Sequence, residues 1–303
     1  MNSDAATAAN GFHSGFIALA GAPNVGKSTL LNRLLGTKLS ITSRRPQTTR
    51  NRILGIVHRQ GAQIVFIDTP GVHRARGPLN RRIVEAALAT LAEVDVVLSI
   101  IDAQRPDKAA EALLLERLTE TRKPVVLAVN KMDAVDAGTL ARTLEHWARR
   151  FDFRHIVPIS ARHGTQVEDL LQILEHMLPE GPPFYGEDML TDRAERFIAA
   201  EIIREKVFRL TGEEIPYAAA VTIDGFKEAR SGELVRIAAT LHVERDSQKG
   251  IVIGRGGHKL KEIGQAARAD IERLLGTRVY LELFVRVQKN WTRDARALRK
   301  FGY

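Results

Sequence analysis

The chain has 303 residues, with 45 Lys and Arg against 36 Asp and Glu, so its formal net charge is +9. That length suits two domains, each large enough to bury its own core. Hydrophobic residues make up 44% and charged residues 27%, which excludes fibrous and disordered classes. The absence of cysteine excludes disulfides, thiolate metal sites, Cys nucleophiles and iron–sulfur clusters, and fits a reducing compartment.

Met1–Asn10 is Ala-rich and polar, with no basic stretch leading into an apolar core, so it does not read as a secretory signal. Residues 1–14 are expected to be a disordered lead-in. Phe16–Ala20 is a short apolar run that ends in a glycine loop, and Ser28–Leu35 is patterned as a helix that stops at Gly36. Further apolar, β-branched runs follow at Ile64–Ile67, Val94–Ile101, Val125–Val129 and Ile156–Ile159. Helical stretches separate them, at Leu79–Leu91, Lys108–Thr121 and Gly138–Arg150. Apolar strands alternating with helices predict an α/β domain with a parallel-rich sheet covered on both faces.

Leu178-Pro179-Glu180-Gly181-Pro182-Pro183 follows a helical segment and reads as a boundary, giving domains 15–183 and 184–303. Beyond it the order changes to a long helix (Met189–Leu210), strands at Tyr217–Ile223 and Leu234–Val243, a helix at Lys259–Leu275, an alternating strand at Val279–Val287 and a short basic helix at Trp291–Lys300. This second part reads as α+β. No run approaches the ~18 apolar residues of a membrane span. The charge is uneven: residues 246–303 hold 13 basic and 6 acidic side chains, a local +7. Such a block suits a polyanion, RNA or an anionic membrane surface, or else solvates a helical face.

Gly21-Ala22-Pro23-Asn24-Val25-Gly26-Lys27-Ser28 matches G-x-x-x-x-G-K-[ST] between a strand and a helix. In that context Gly21, Asn24, Val25 and Gly26 supply phosphate-binding backbone N–H groups, and the helix starting at Lys27, Ser28 and Thr29 adds its positive end. Lys27 would neutralise β/γ-phosphate charge and the Ser28 hydroxyl would ligate Mg²⁺. Asp68-Thr69-Pro70-Gly71 follows a strand, with Asp68 suited to hold Mg²⁺ and the Gly71 N–H to bind the γ-phosphate. Asn130-Lys131-Met132-Asp133 follows another. The Asp133 carboxylate can accept from guanine N1–H and the 2-amino group, which adenine lacks on that edge. Ser160-Ala161 follows a fourth strand, where the Ala161 N–H could meet guanine O6. All sit at carboxyl ends of predicted strands, where open α/β sheets bind ligands.

In the second half, Ile253-Gly254-Arg255-Gly256-Gly257 contains G-x-x-G before a helix. Such a loop clamps a nucleotide backbone, with Arg255, Lys259 and Lys261 supplying phosphate-pairing charge. Ile251, Val252, Ile253 and Ile263 could line an apolar groove or equally serve as core. Phe284 and Trp291 read as core before stacking platforms, while Lys289, Arg293, Arg296, Arg299 and Lys300 could meet phosphate or solvent.

The first set resembles the motifs of translation-factor-class GTPases. With it, Ser43-Arg44-Arg45-Pro46-Gln47-Thr48-Thr49-Arg50 looks like their second motif, Thr49 being the expected ligand of Mg²⁺ and γ-phosphate and Thr48 the alternative. Many GTPases place Gln after Asp-x-x-Gly to orient water; here Val72 stands there, beside His73 and Arg74. In related enzymes an Asn at the place of Asn24 helps bind K⁺. A Ras-like P-loop G domain followed by a type II KH domain is similar to the Era family of bacterial GTPases. That resemblance implies a slow GTPase switch with catalytic roles for Lys27, Thr49 and Gly71, GTP/GDP and Mg²⁺ as ligands, and binding of the 3′ end of 16S rRNA. It further implies a role in small (30S) subunit assembly, a link to cell growth, a monomer, and a cytoplasmic location with partial association to the inner membrane surface. Three other readings compete. A tRNA-modification GTPase is disfavoured by the missing Cys, a two-G-domain assembly factor by the single G-K-[ST], and a membrane-surface switch would use the basic C-terminal region on anionic lipid.

Overall fold

The computed structural model describes residues 11–42, 49–73, 78–212, 215–229 and 232–302. Expectations that fall on Met1–Asn10, Thr48 and Arg74 lie outside them. The described chain separates into two compact units, the first ending at Asp192 and the second holding Arg193–Tyr303 together with the short segments Ser40–Thr48 and Gly77–Arg82.

In the first unit the order is β1 (His13–Ala20), α1 (Lys27–Leu35), β2 (Ile53–Arg59), β3 (Ala62–Asp68), α2 (Pro78–Glu93), β4 (Val96–Asp102), α3 (Lys108–Glu120), β5 (Val125–Asn130), α4 (Ala137–Ala148), β6 (His155–Ile159) and α5 (Val167–His176). The six strands lie in the order β2-β3-β1-β4-β5-β6. All neighbours are parallel except β2 against β3. The central strands are buried along their length because helices cover both faces. One core cluster holds Ile17, Leu30, Phe66 and Leu170, another holds Ile56, Val65, Val97 and Leu114, and a smaller one holds Leu127, Val129 and Trp147. β1 already takes in His13 and Ser14, which the sequence assigned to the lead-in.

Two departures from the sequence reading have physical causes. β2 has no strand signal in the sequence because Gly55 interrupts its apolar run. A Cβ there would lie 2.5 Å from Leu31 Cδ1, so the glycine is what lets α1 close on the sheet. Residues 184–192 were read as second-domain chain, with a helix from Met189. They form instead a strap of bends and one turn, Met189 N–H donating to Gly186 O at 3.0 Å, on the first unit. Ile56 N–H donates to Leu190 O at 2.9 Å, Gln63 Nε2 donates to Tyr185 O at 2.7 Å, and Phe184 N–H donates to Gln63 Oε1 at 2.7 Å. The helix begins only at Glu195.

The second unit carries α6 (Glu195–Leu210), α7 (Ile215–Ala218), β7 (Ala220–Glu228), β8 (Leu234–Val243), α8 (Asp246–Ile253), α9 (His258–Leu275), β9 (Arg278–Val287) and α10 (Ala295–Lys300). Its sheet has the order β7-β8-β9, antiparallel then parallel. On β9 the odd residues Val279 to Val287 turn toward the helices, and the even residues Arg278 to Arg286 are exposed.

Candidate functional site

The loop between β1 and α1 has a backbone that only glycine fits at two points. A Cβ on Gly21 would lie 2.3 Å from Ile100 O; one on Gly26, at φ +108°, would lie 2.2 Å from Asn130 Nδ2. Helix α1 follows with no side-chain cap and no acid in its first turn, so its first N–H groups face the loop uncompeted. Lys27 is buried and donates to Gly21 O at 3.1 Å and Ala22 O at 2.9 Å. Burial brings its pKa down to about 8, against the raising effect of Asp68.

Ser28 Oγ donates to Asp68 Oδ2 at 2.7 Å and lies 3.0 Å from Thr49 Oγ1. The sequence placed these three side chains around one cation, and they meet here. The set is all oxygen, one carboxylate and two hydroxyls, which is the donor chemistry of Mg²⁺. When bound with a nucleotide, Mg²⁺ would neutralise phosphate charge. Gly71 is pressed against the loop: a Cβ would lie 2.7 Å from Pro23 N. The next residue, Val72, donates its N–H to Gly21 O at 3.0 Å and buries its side chain in the core. His73 Nδ1 lies 2.8 Å from Gly71 O.

The base-reading residues are tied to this loop. Asn130 Nδ2 donates to Val25 O at 2.6 Å, and its Oδ1 accepts from the Ala161 N–H at 2.9 Å. The Ala161 N–H expected to meet guanine O6 is therefore directed at Asn130. Lys131 adopts the left-handed conformation (φ +65°) and donates to Asn24 O at 3.0 Å and to Asp102. Asn24 is exposed, also at positive φ, and Thr29 is half-buried one residue into the helix from Ser28. The Asp133 carboxylate is held below the usual carboxylate range, chiefly by a hydrogen bond from Ser160, with His163 and Arg162 adding to the effect. An ionised Asp133 accepts two hydrogen bonds, as a guanine edge requires.

The second unit offers a groove. Gly254, Gly256 and Gly257 have φ of +72°, +57° and +79°, so the G-x-x-G backbone turns tightly into α9. That helix also starts without a side-chain cap or an acid in its first turn. A groove of about 440 Å³ runs from Gly257 along α9, past Leu260, Lys261 and Gly264, against Leu281 and Leu283 of β9. Gly254 and Ile253 are half-buried, while Arg255, Gly256 and Lys261 are exposed at the rim. Lys259 pairs with Glu262 at 2.7 Å. The ambiguous apolar residues divide, with Ile253 between the two classes. Val252 and Ile263 are buried core, and Ile251 is 53% exposed. Phe284, read as core, is 56% exposed, because β9 is an edge strand whose outer face no helix covers there. Trp291 is fully buried, donating Nε1–H to Ala218 O at 2.9 Å. The five terminal basic residues from Lys289 to Lys300 are all exposed.

Residues 16–131 match the family model described as 50S ribosome-binding GTPase, and residues 214–292 match the KH domain model. The chain is 54% identical to GTPase Era of Geobacter metallireducens, over 97% of this chain and 99% of that one. It is 52% identical to GTPase Era of Geotalea uraniireducens, over 96% and 98%. The chain belongs to the Era family of GTPases. A point-mutant Era of Aquifex aeolicus bound to GDP·AlF4⁻ superposes with a TM-score of 0.91 at 41% identity, covering 96% of this chain and 99% of that one. An Era structure with MgGDPNP and nucleotides 1506–1542 of 16S ribosomal RNA matches equally well, with the same TM-score, identity and coverage. Among the described residues, no helix is long and apolar enough to cross a membrane.

Against this Era frame, the sequence reading missed Asp102. It is buried at the carboxyl end of β4, holds Lys131, and accepts from the Gln104 N–H at 2.9 Å and the Arg105 N–H at 3.1 Å. Its place at the end of an apolar strand, like Asp68 and Asn130, was the available signal. Thr69 was also missed; its buried hydroxyl donates to Leu19 O at 2.7 Å and locks the Asp68 loop to β1.

Proposed function

We propose that this Era-family chain is a GTP-controlled RNA-binding switch that acts on the 3′ end of 16S rRNA during small-subunit assembly. The observation that carries the nucleotide part is Asn130, whose amide ties the phosphate loop at Val25 to the base loop at Ala161. Phosphate recognition by Gly21–Thr29 and base recognition by Asp133 are thereby parts of one cradle. Mg²⁺ is held in this reading by Ser28, Thr49 and Asp68, with Lys27 and Gly71 on the γ-phosphate. K⁺ near Asn24 is the second cation. The γ-phosphate orders the segments of Thr49 and Gly71, and hydrolysis releases them. The G-x-x-G groove holds a single strand, with Arg255, Lys259 and Lys261 on phosphate. The related Era structure bound to 16S nucleotides supports that target.

Asp133→Asn tests the cradle. An amide presents a donor where guanine also presents one, whereas xanthine presents an oxygen at that position. The variant is expected to lose GTP affinity by at least about 100-fold, the scale of one or two buried charged hydrogen bonds, and to gain xanthosine triphosphate binding. Isothermal titration with both nucleotides reads this, and unchanged GTP preference sinks the assignment.

A further inference from the structure

The groove beside α9 adjoins a second cavity. Tyr280, at its far end, also lines a wider cleft of about 1270 Å³ at the start of β9, where α9 turns into the strand. Arg268 lines both. The cleft adds Arg236, Arg273 and Arg278, opposed by Glu233 and Glu272. Two of these arginines are already engaged: Arg268 lies 3.9 Å from Glu272, and Arg273 pairs with Asp270. Arg236 and Arg278 are different. Both are exposed, and neither has a carboxylate within 4 Å among the described residues.

The strand register explains why they gather. Arg236 on β8 stands opposite Tyr280 on β9, Leu234 stands opposite Arg278, and Lys227 on β7 stands opposite Arg236. A row of Lys227, Arg236 and Tyr280 therefore crosses the sheet on one face. The Arg236 guanidinium sits over the Tyr280 ring, 5.8 Å from its centroid. Tyr280 is 51% exposed, and Phe284 lies farther along the same face of β9. Glu282 is the acidic residue between them. An exposed aromatic flanked by unpaired guanidinium groups is a base-stacking platform with phosphate contacts beside it. A KH groove accommodates about four nucleotides, so a longer strand must leave it somewhere.

We propose that RNA leaving the groove continues onto this face, with a base stacked on Tyr280 and its phosphates on Arg236 and Arg278, as a second contact distinct from the G-x-x-G clamp. The proposal rests on the groove being an RNA site. Charge complementarity and the shared Tyr280 lining favour RNA over any other occupant.

The test uses the full chain with GDPNP and labelled RNA from the 16S 3′ end, in lengths of about four and about twelve nucleotides. Arg236→Ala/Arg278→Ala is expected to leave the short RNA within about twofold. It should weaken the long one by about tenfold or more and reduce its salt slope by about 1.4, the value for two lost phosphate contacts. Tyr280→Ala is expected to weaken the long RNA by about tenfold, the scale of one stacked base, and Tyr280→Phe to retain it. Long-RNA affinity at the wild-type level in the double arginine variant overturns the proposal. So does equal loss for both lengths, which would place these residues in the clamp itself. Loss of binding to phosphatidylserine vesicles with RNA binding intact would assign the face to a membrane instead. Arg255→Asp/Gly256→Asp separates the two readings. Both positions are exposed, a Cβ on Gly256 would meet nothing within 4 Å, and Asp is one of the few side chains that visit the positive φ found there. This variant is expected to lose both RNAs; retained short-RNA binding would remove the groove assignment.

Discussion

Val72 occupies the place where many GTPases carry the glutamine that orients the attacking water. Its side chain is buried in the core, and only its N–H faces the phosphate loop, donating to Gly21 O. The residue can set the position of Gly71 but cannot hold water, so charge must come from elsewhere. Asn24, the K⁺ ligand of the proposal above, is exposed on the rim of the same loop. Turnover is expected to be about tenfold faster in K⁺ than in Na⁺ at equal ionic strength, equivalent to about 1.4 kcal/mol of transition-state stabilisation. Phosphate-release kinetics that coincide in the two salts would remove the ion from the reaction. At this scale the sequence was most legible where a residue type is chemically forced. Gly26 cannot carry a side chain beside Asn130, and Asp133 offers the acceptors guanine needs. Asp102 escaped because its partner is Lys131, and no spacing motif marks a residue that works through another.

Helices α1 and α9 are built alike and unlike their neighbours. Helices α3 and α4 begin with Asp107 and Asp136, whose carboxylates accept from the Ala110 N–H at 3.0 Å and the Thr139 N–H at 2.8 Å. Helices α1 and α9 begin after a left-handed glycine with no such acceptor. A cap satisfies the N–H groups that an anion would otherwise take. Helices α5 and α6 also lack a side-chain cap but carry Glu168, Asp169 and Glu195 in their first turns, whereas α1 and α9 have no acid there. The glycines involved belong to the two motifs that marked both sites in the sequence. The strap at 184–192 was not visible, because its apolar residues suit a helix as well as a bent segment held to β2 by the Ile56 N–H on Leu190 O. Nor was the charge buried between α6 and α9. Lys206 is buried and pairs with Asp270, which also takes Arg273. Lys206 also lies 3.4 Å from the buried Glu205, so removing Asp270 takes one of its two partners, and a buried ion short of a partner costs more than the pair contributes. Asp270→Ala is therefore expected to destabilise the second unit by about 2 kcal/mol, at or below the range for a fully broken buried pair. The double change Lys206→Met with Asp270→Leu should recover most of that loss. Urea unfolding followed on α6–α9 reads both, and a cost below about 1 kcal/mol for Asp270→Ala would show that water reaches Lys206.

Over the whole molecule, the charge that first marked the sequence is divided by function. The cradle of the first unit buries its key cation, Lys27, among backbone carbonyls. The last 58 residues, 246–303, carry +7, largely on exposed side chains, of which Lys261, Arg268, Arg273 and Arg278 line the groove and its neighbouring cleft. These two arrangements answer salt differently. Exposed cations release counterions when they meet RNA, so log K falls by about 0.7 per single-strand phosphate contacted for each decade of salt. With about four phosphates in the groove the slope is near −3, and raising salt from about 50 to about 200 mM should weaken RNA binding by about fiftyfold. A triphosphate held by buried N–H groups and Lys27 is screened much less, so GTP affinity should change by less than about threefold over the same range. Titrating both ligands across one salt series on the full chain decides the matter. A flat RNA curve would mean that the basic C-terminal region only solvates its helices, and that apolar contacts in the groove carry the binding. A GTP curve as steep as that for RNA would mean that the cradle is open to solvent, contrary to the burial of Lys27.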